Sequence, residues 1–153
     1  MAITPKPKTT VTLRASAHCP DHSRADVRVR DLTLTIDEPV ERGGGNAGPT
    51  PTDTVLAALA GCTNVIGHKC AAKLGIDIGH LDIDVACDFD RRGVTLSESV
   101  AVPFTAVRQT VTAHGPASEA ELAAVAREVE LYCPVARLFV AAGTDVITEW
   151  KKA

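Results

Sequence analysis

Residues 48–70 read GPTPTDTVLAALAGCTNVIGHKC, a proline-headed run of mostly small and apolar residues. Thr50 can cap a helix, Pro51 suits its first position, and Asp53 stands three residues after the cap, a T-x-x-D form of the capping box. The pattern predicts a helix from there to about Leu74, with Gly75 as its stop. About 24 residues at a 1.5 Å rise would span about 35 Å. Between Val55 and Ile66 apolar or small residues cover every side of the cylinder, whereas a surface helix carries one apolar stripe. Such a helix has to be covered all round, and a chain of 153 residues with modest sheets would need a second copy of itself to do so.

Ahead of this helix, TTVTLRA (9–15), ADVRVRD (25–31) and LTLTID (32–37) alternate apolar or β-branched residues with polar ones, the period of half-buried strands. The first two are joined by SAHCPDHS, read as a loop, so the opening third is expected to be an antiparallel meander. ERGGGNAGPTP (41–51) reads as a long loop. Beyond the helix, 80–90 and 99–115 read as two long antiparallel strands, with Pro103 tolerable at an edge or a bulge. Ser118 and Glu121 form a second capping box before the amphipathic ELAAVAREVELY (121–132). CPVARLFVAAG then reads as a short helix starting at Pro134, and TDVITEWK (144–151) as a closing strand.

Composition narrows the function. The formal charge is −3 with no basic run, and five aromatics offer no stacking platform, which argues against nucleic acid and anionic membranes as partners. The longest apolar run, VLAALAGC, is short for a bilayer, and MAITPKPKTT lacks the apolar region of a signal peptide, so a cytoplasmic protein is expected. Length and the absence of a linker suit a single domain over 1–153. No Walker loop, GxGxxG or GxSxG is present, and no cofactor is expected.

Chemistry must therefore come from side chains. Cys19, Cys62, Cys70, Cys87 and Cys133 are odd in number and irregular in spacing, so a disulfide framework is not expected. Pro134 disfavours helical geometry at residue 133 and prefers the first helical turn, which puts Cys133 at an N-cap. There, free backbone N–H groups and the helix dipole would lower its pKa. Cys62 sits mid-helix among apolar neighbours that would raise its pKa unless a cation approaches. By residue type alone each thiol is better explained by packing. His18, Cys19 and His22 could begin a zinc site, but the chain supplies no matching fourth-ligand motif.

GPTPTDTVLAALAGC together with YCPVARLF some seventy residues on resembles the OsmC/Ohr family of small thiol peroxidases, over nearly the whole chain. The resemblance implies an α+β fold in which antiparallel sheets wrap around long central helices in an intertwined homodimer. It also implies reduction of organic hydroperoxides by two cysteines. Cys62 would attack the O–O bond and become a sulfenic acid, Cys133 would resolve it as a disulfide, and a dithiol reductant would restore both. Arg42, nine residues before Pro51, matches the spacing of the arginine that activates the thiol in the OsmC branch; Arg24 is the second choice. In peroxidases of the family a glutamate directly follows the helix-starting proline and holds the arginine. Here that position is Thr52, with Asp53 one residue later. The alternative reading is a divergent family member that binds a small apolar ligand without turning over peroxide.

Overall fold

Capping and turn chemistry place the elements of the computed structural model, which describes residues 9–153. The first eight residues, on which most of the signal-peptide reading falls, lie outside the described residues. The chain divides into two units, the first ending at Thr54 and the second running Val55–Ala153.

In the first unit, β1 (Ser16–His18), β2 (Ala25–Val29) and β3 (Leu32–Ile36) form an antiparallel meander in sequence order. Two residues, Arg30 and Asp31, turn β2 into β3, with Arg30 in the left-handed region at φ 58°. The first strand is displaced from its expected position: residues 9–15 have no regular structure, and the strand falls in the segment read as a loop. The register explains this. Ser16 pairs with Arg28, so a strand running back through 9–14 would continue past the end of β2 and find no partner in this unit. Val11 and Leu13 are accordingly 69% and 89% exposed.

The glycine-rich loop is more ordered than its composition suggests. The buried Asp37 carboxylate accepts N–H bonds from Glu38, Gly45 and Ala47 at 2.8–3.0 Å. These bonds, led by that from Ala47, hold its pKa below the usual carboxylate range. Gly44 and Gly48 are required by close approach, since a Cβ would lie 2.0 Å from the Glu38 carbonyl oxygen and 2.1 Å from that of Thr35.

Helix α1 (Pro51–Leu74) begins and ends where its sequence signals place it. Asp53 donates its N–H to Thr50 Oγ1 (3.2 Å) and accepts from the Thr50 N–H (3.3 Å), closing the capping box. Gly75 follows at φ 71°. In length and composition α1 could cross a membrane, which the eight-residue apolar run understates. It is instead a core helix: Leu59, Thr63, Gly67, Cys70 and Ala71, at helical spacing, are buried. Other apolar residues of α1, such as Val65, remain half exposed.

The rest of the second unit is a sheet of order β4-β5-β6 with two further helices. β4 (Leu81–Phe89) pairs antiparallel with β5 (Phe104–Ala113). β5 starts later than the sequence suggests because Pro103, which has no N–H to give a central strand, stands just before it and accepts from the Asp90 N–H. β6 (Asp145–Lys152) returns parallel to β5 after α2 (Glu119–Tyr132) and α3 (Pro134–Ala141). The Ser118–Glu121 capping box of α2 is complete. Alternation along β5 turns Val107, Gln109, Val111 and Ala113 inward. They meet a core that includes Leu59, Leu122, Val125 and Phe139. The fold is α+β.

Candidate active site

Two contacts fix where α1 presents its thiol. Thr63 Oγ1 donates to Gln109 Oε1 of β5 at 3.0 Å, both residues being buried, and Gly67 lets the helix lie against the Trp150 ring, where a Cβ would come within 2.9 Å. With Thr63 and Gly67 facing the sheet, Cys62 is half-buried at the margin of the same core.

Cys133 arrives from another direction. It ends α2, its N–H donating to Val129 O at 2.8 Å, and caps α3 in extended geometry (φ −71°, ψ 107°) as Pro134 requires. Its Sγ accepts from the Ala136 N–H at 3.5 Å. Phe139, one and a half turns on, anchors α3 edge-on to Phe104 at the start of β5, with centroids 5.4 Å apart. The result brings residues 71 positions apart into contact: Cys133 Sγ donates to Cys62 Sγ at 3.1 Å. Both are free thiols.

The N-cap reading holds for the geometry of Cys133 and fails for its acidity. Instead of being lowered, its pKa is pushed up to about 11. Burial is the largest cause, for the residue has no exposed surface. The Ala136 N–H pulls the other way and loses, while the Cys62 sulfur adds to the rise. At neutral pH Cys133 thus keeps its proton and directs it at Cys62. The contact is therefore asymmetric: Cys133 donates, and Cys62, the more accessible of the two, accepts. Cys70 and Cys87 sit apart from the pair, their thiols raised first by burial, and Cys19 is exposed.

An apolar hollow of about 160 Å³, lined by neither thiol, has walls that include Val55, Phe104, Val135, Leu138 and Thr144. Val135 is two residues after Cys133, and Val55 lies two turns before Cys62 on the same side of α1.

The proposed cations belong to the first unit. Arg42 Nε lies 2.9 Å from Glu38 Oε2, a close ion contact whose N–H is not aimed as a hydrogen bond. Arg24 pairs with Asp26 at 3.0 Å. Thr52, in the position of the family's glutamate, shares a 3.0 Å contact with the Thr50 hydroxyl, and Asp53 is spent on the capping box. The carboxylate that holds Arg42 is therefore Glu38. Sequence inspection missed it, although its i, i+4 spacing to Arg42 was a readable signal. Among the described residues no three His, Cys, Asp or Glu side chains gather as a metal-ligand set.

An α+β chain in which a central helix and the cap of a later helix bring two free thiols together defines a class of paired-thiol proteins. The family model described as OsmC-like protein matches residues 43–149, and the chain belongs to that family. No curated protein matches it. Among solved structures it resembles an OsmC-like protein from Mycoplasma pneumoniae at 16% identity and TM-score 0.76, covering 94% of this chain and 98% of that one. It also resembles an organic hydroperoxide resistance protein OsmC from Legionella pneumophila (21% identity, TM-score 0.62, 95% and 99% covered). A third is the organic hydroperoxide resistance protein OhrB of Bacillus subtilis (17%, TM-score 0.60, 92% and 98%). At these identities the likeness speaks for the fold.

Proposed function

We propose that the protein reduces organic hydroperoxides through a two-cysteine cycle. The observation that carries this reading is the 3.1 Å contact between Cys62 and Cys133. The Cys62 thiolate attacks the terminal peroxide oxygen; the O–O bond breaks, the alkoxide leaves and takes a proton as the alcohol, and Cys62 becomes a sulfenic acid. Cys133 then attacks the Cys62 sulfur, water leaves, and a disulfide forms. An external dithiol gives up two electrons and two protons to restore both thiols, becoming a disulfide itself.

Membership of the OsmC family and the names of the Legionella and Bacillus neighbours support hydroperoxide as the substrate class. The apolar hollow lined by Val55 of α1 and Val135 of α3 suits an organic rather than a mineral peroxide. Arg42 is the proposed cation for the Cys62 thiolate, with Glu38 holding it. The working unit is a homodimer of single-domain chains in the cytoplasm, an assembly that would cover the apolar residues α1 leaves exposed.

The test is a count of free thiols before and after one equivalent of cumene hydroperoxide. Two of the five thiols should disappear and return with a dithiol, and Cys62→Ser should retain all of its remaining thiols. Unchanged thiols in the unsubstituted protein would refute the cycle.

A further inference from the structure

A second cavity, of about 340 Å³, lies between α1, α2, α3 and the sheet, on the Thr63 side of α1. Its walls are mostly apolar, with Val129, Ala136 and Val146 among them. Its volume equals about eleven water molecules at roughly 30 Å³ each, and an apolar cleft of this size with a few fixed polar groups is the usual form of a small-molecule site.

A polar group on its sheet wall is unspent. Gln109 is 4% exposed, and its Oε1 accepts from Thr63, but its amide nitrogen has no hydrogen-bond partner among the described residues. Trp150 lines the same cavity with its ring, while its indole N–H, also without a partner, is occluded and does not open onto it. The two residues project from adjacent strands, since Gln109 faces Thr148 across the β5–β6 ladder and Trp150 is two residues further on the same face. A buried donor left unpaired is costly, and a ligand that pairs with the Gln109 amide gains by comparison with the empty site. With its Oε1 taken by Thr63, Gln109 is left to donate, so the complementary head is an acceptor oxygen. Arg137 and Glu130 also line the cavity. Their opposite charges leave no net preference for an ionic ligand.

We propose that this cavity binds a neutral organic molecule of about ten non-hydrogen atoms, with a carbonyl or ester oxygen received by Gln109 and an apolar body against the Trp150 ring, α2 and α3. The site does not contain either thiol of the pair, and its occupancy does not depend on peroxide chemistry.

Trp150 is the chain's single tryptophan, so its emission reports the site directly. In the reduced, full-length protein, cyclohexyl acetate should produce a saturable change in Trp150 fluorescence, and ethylcyclohexane, which lacks the acceptor, a much weaker one. Gln109→Met should weaken cyclohexyl acetate about three- to tenfold, the range for one neutral hydrogen bond. Ala126→Leu, which fills the cavity from α2 without opposing its helix, should abolish the change. No saturable response, equal response to both probes, or undiminished affinity in Gln109→Met with native circular dichroism would each overturn the proposal. A response that follows protein concentration instead of probe concentration would assign the cavity to contact between copies and overturn it too. The probe is not a peroxide, so failure here leaves the thiol cycle untouched, and failure of that cycle leaves this site standing.

Discussion

Burial of Cys133 makes stability depend on pH in a window where few other groups in the core titrate. Its thiol ionises near 9.0 in an unfolded chain and near 11 in the fold. Below about pH 9 both states hold the proton, and the group contributes no slope. Between about pH 9 and 11 the unfolded chain has released it while the folded chain retains it, so stability falls as pH rises. Above about pH 11 both are ionised and the contribution is gone. A rise of about two units bounds the effect at about 3 kcal/mol. Because the Ala136 N–H and the Cys62 sulfur share the site, about 2 kcal/mol is expected. The perturbation is Cys133→Ala, and the assay is urea unfolding in reductant at intervals from about pH 7.5 to 11. Groups remote from the substitution contribute alike in both proteins and cancel in the difference. The stability advantage of the unsubstituted protein should shrink by about 2 kcal/mol across the window. Parallel curves would mean that the helix-cap amides balance burial, and an advantage that grew with pH would mean that they win; either result refutes the assignment of Cys133 as a protonated donor.

Gly67→Ala sets helix propensity, which favours Ala by about 1 kcal/mol, against a Cβ placed 2.9 Å from the Trp150 ring. Overpacking of this kind costs about 1–3 kcal/mol, so a net loss of about 1 kcal/mol is expected in thermal melts, recovered in a Trp150→Phe background; a gain in the single variant would show that α1 can lift off the sheet freely. Arg42→Ala should slow cumene hydroperoxide consumption far more at neutral than at alkaline pH, where the thiol ionises unaided. Equal slowing in rate measurements at both would give Arg42 a different role.

Local signals were legible in the sequence wherever one residue type answers one backbone need. Thr50, Pro51 and Gly75 bound α1, Ser118 with Glu121 opens α2, and Pro134 fixes Cys133 at the head of α3. The first strand was not legible, because alternation in 9–15 shows only that these residues could pair. Pairing depends on how far β2 extends beyond Ser16. Asp37 escaped notice for a related reason: its three N–H donors come from residues one, eight and ten positions on, and a loop that folds back on a carboxylate has no period. The Thr63–Gln109 bond, 46 residues apart, likewise has no sequence signature. The two cysteine motifs could be recognised as a pair, but the acidity of Cys133 could not. Its sign is a contest between helix-end amides and desolvation, and only burial decides that contest.

The same contest divides the roles of the two thiols on the proposed reading. If the helix cap had prevailed, Cys133 would be the stronger thiolate, and the pair would present its nucleophile from a fully buried position that a peroxide could not reach. Burial instead keeps the proton on Cys133 and turns it into a donor toward the more accessible Cys62. Oxidation of Cys62 then changes what Cys133 meets: the sulfur that accepted its proton becomes an electrophile, and the water released needs that proton. A resolving thiol must be unreactive before its partner is oxidised and close enough to react afterwards. High acidity would defeat the first requirement, and a separation much beyond the observed 3.1 Å would slow the second. Both conditions are met by placing the N-cap of α3 inside the core, which explains why an apolar helix such as α1 can carry a thiol at its middle and still present it to a substrate.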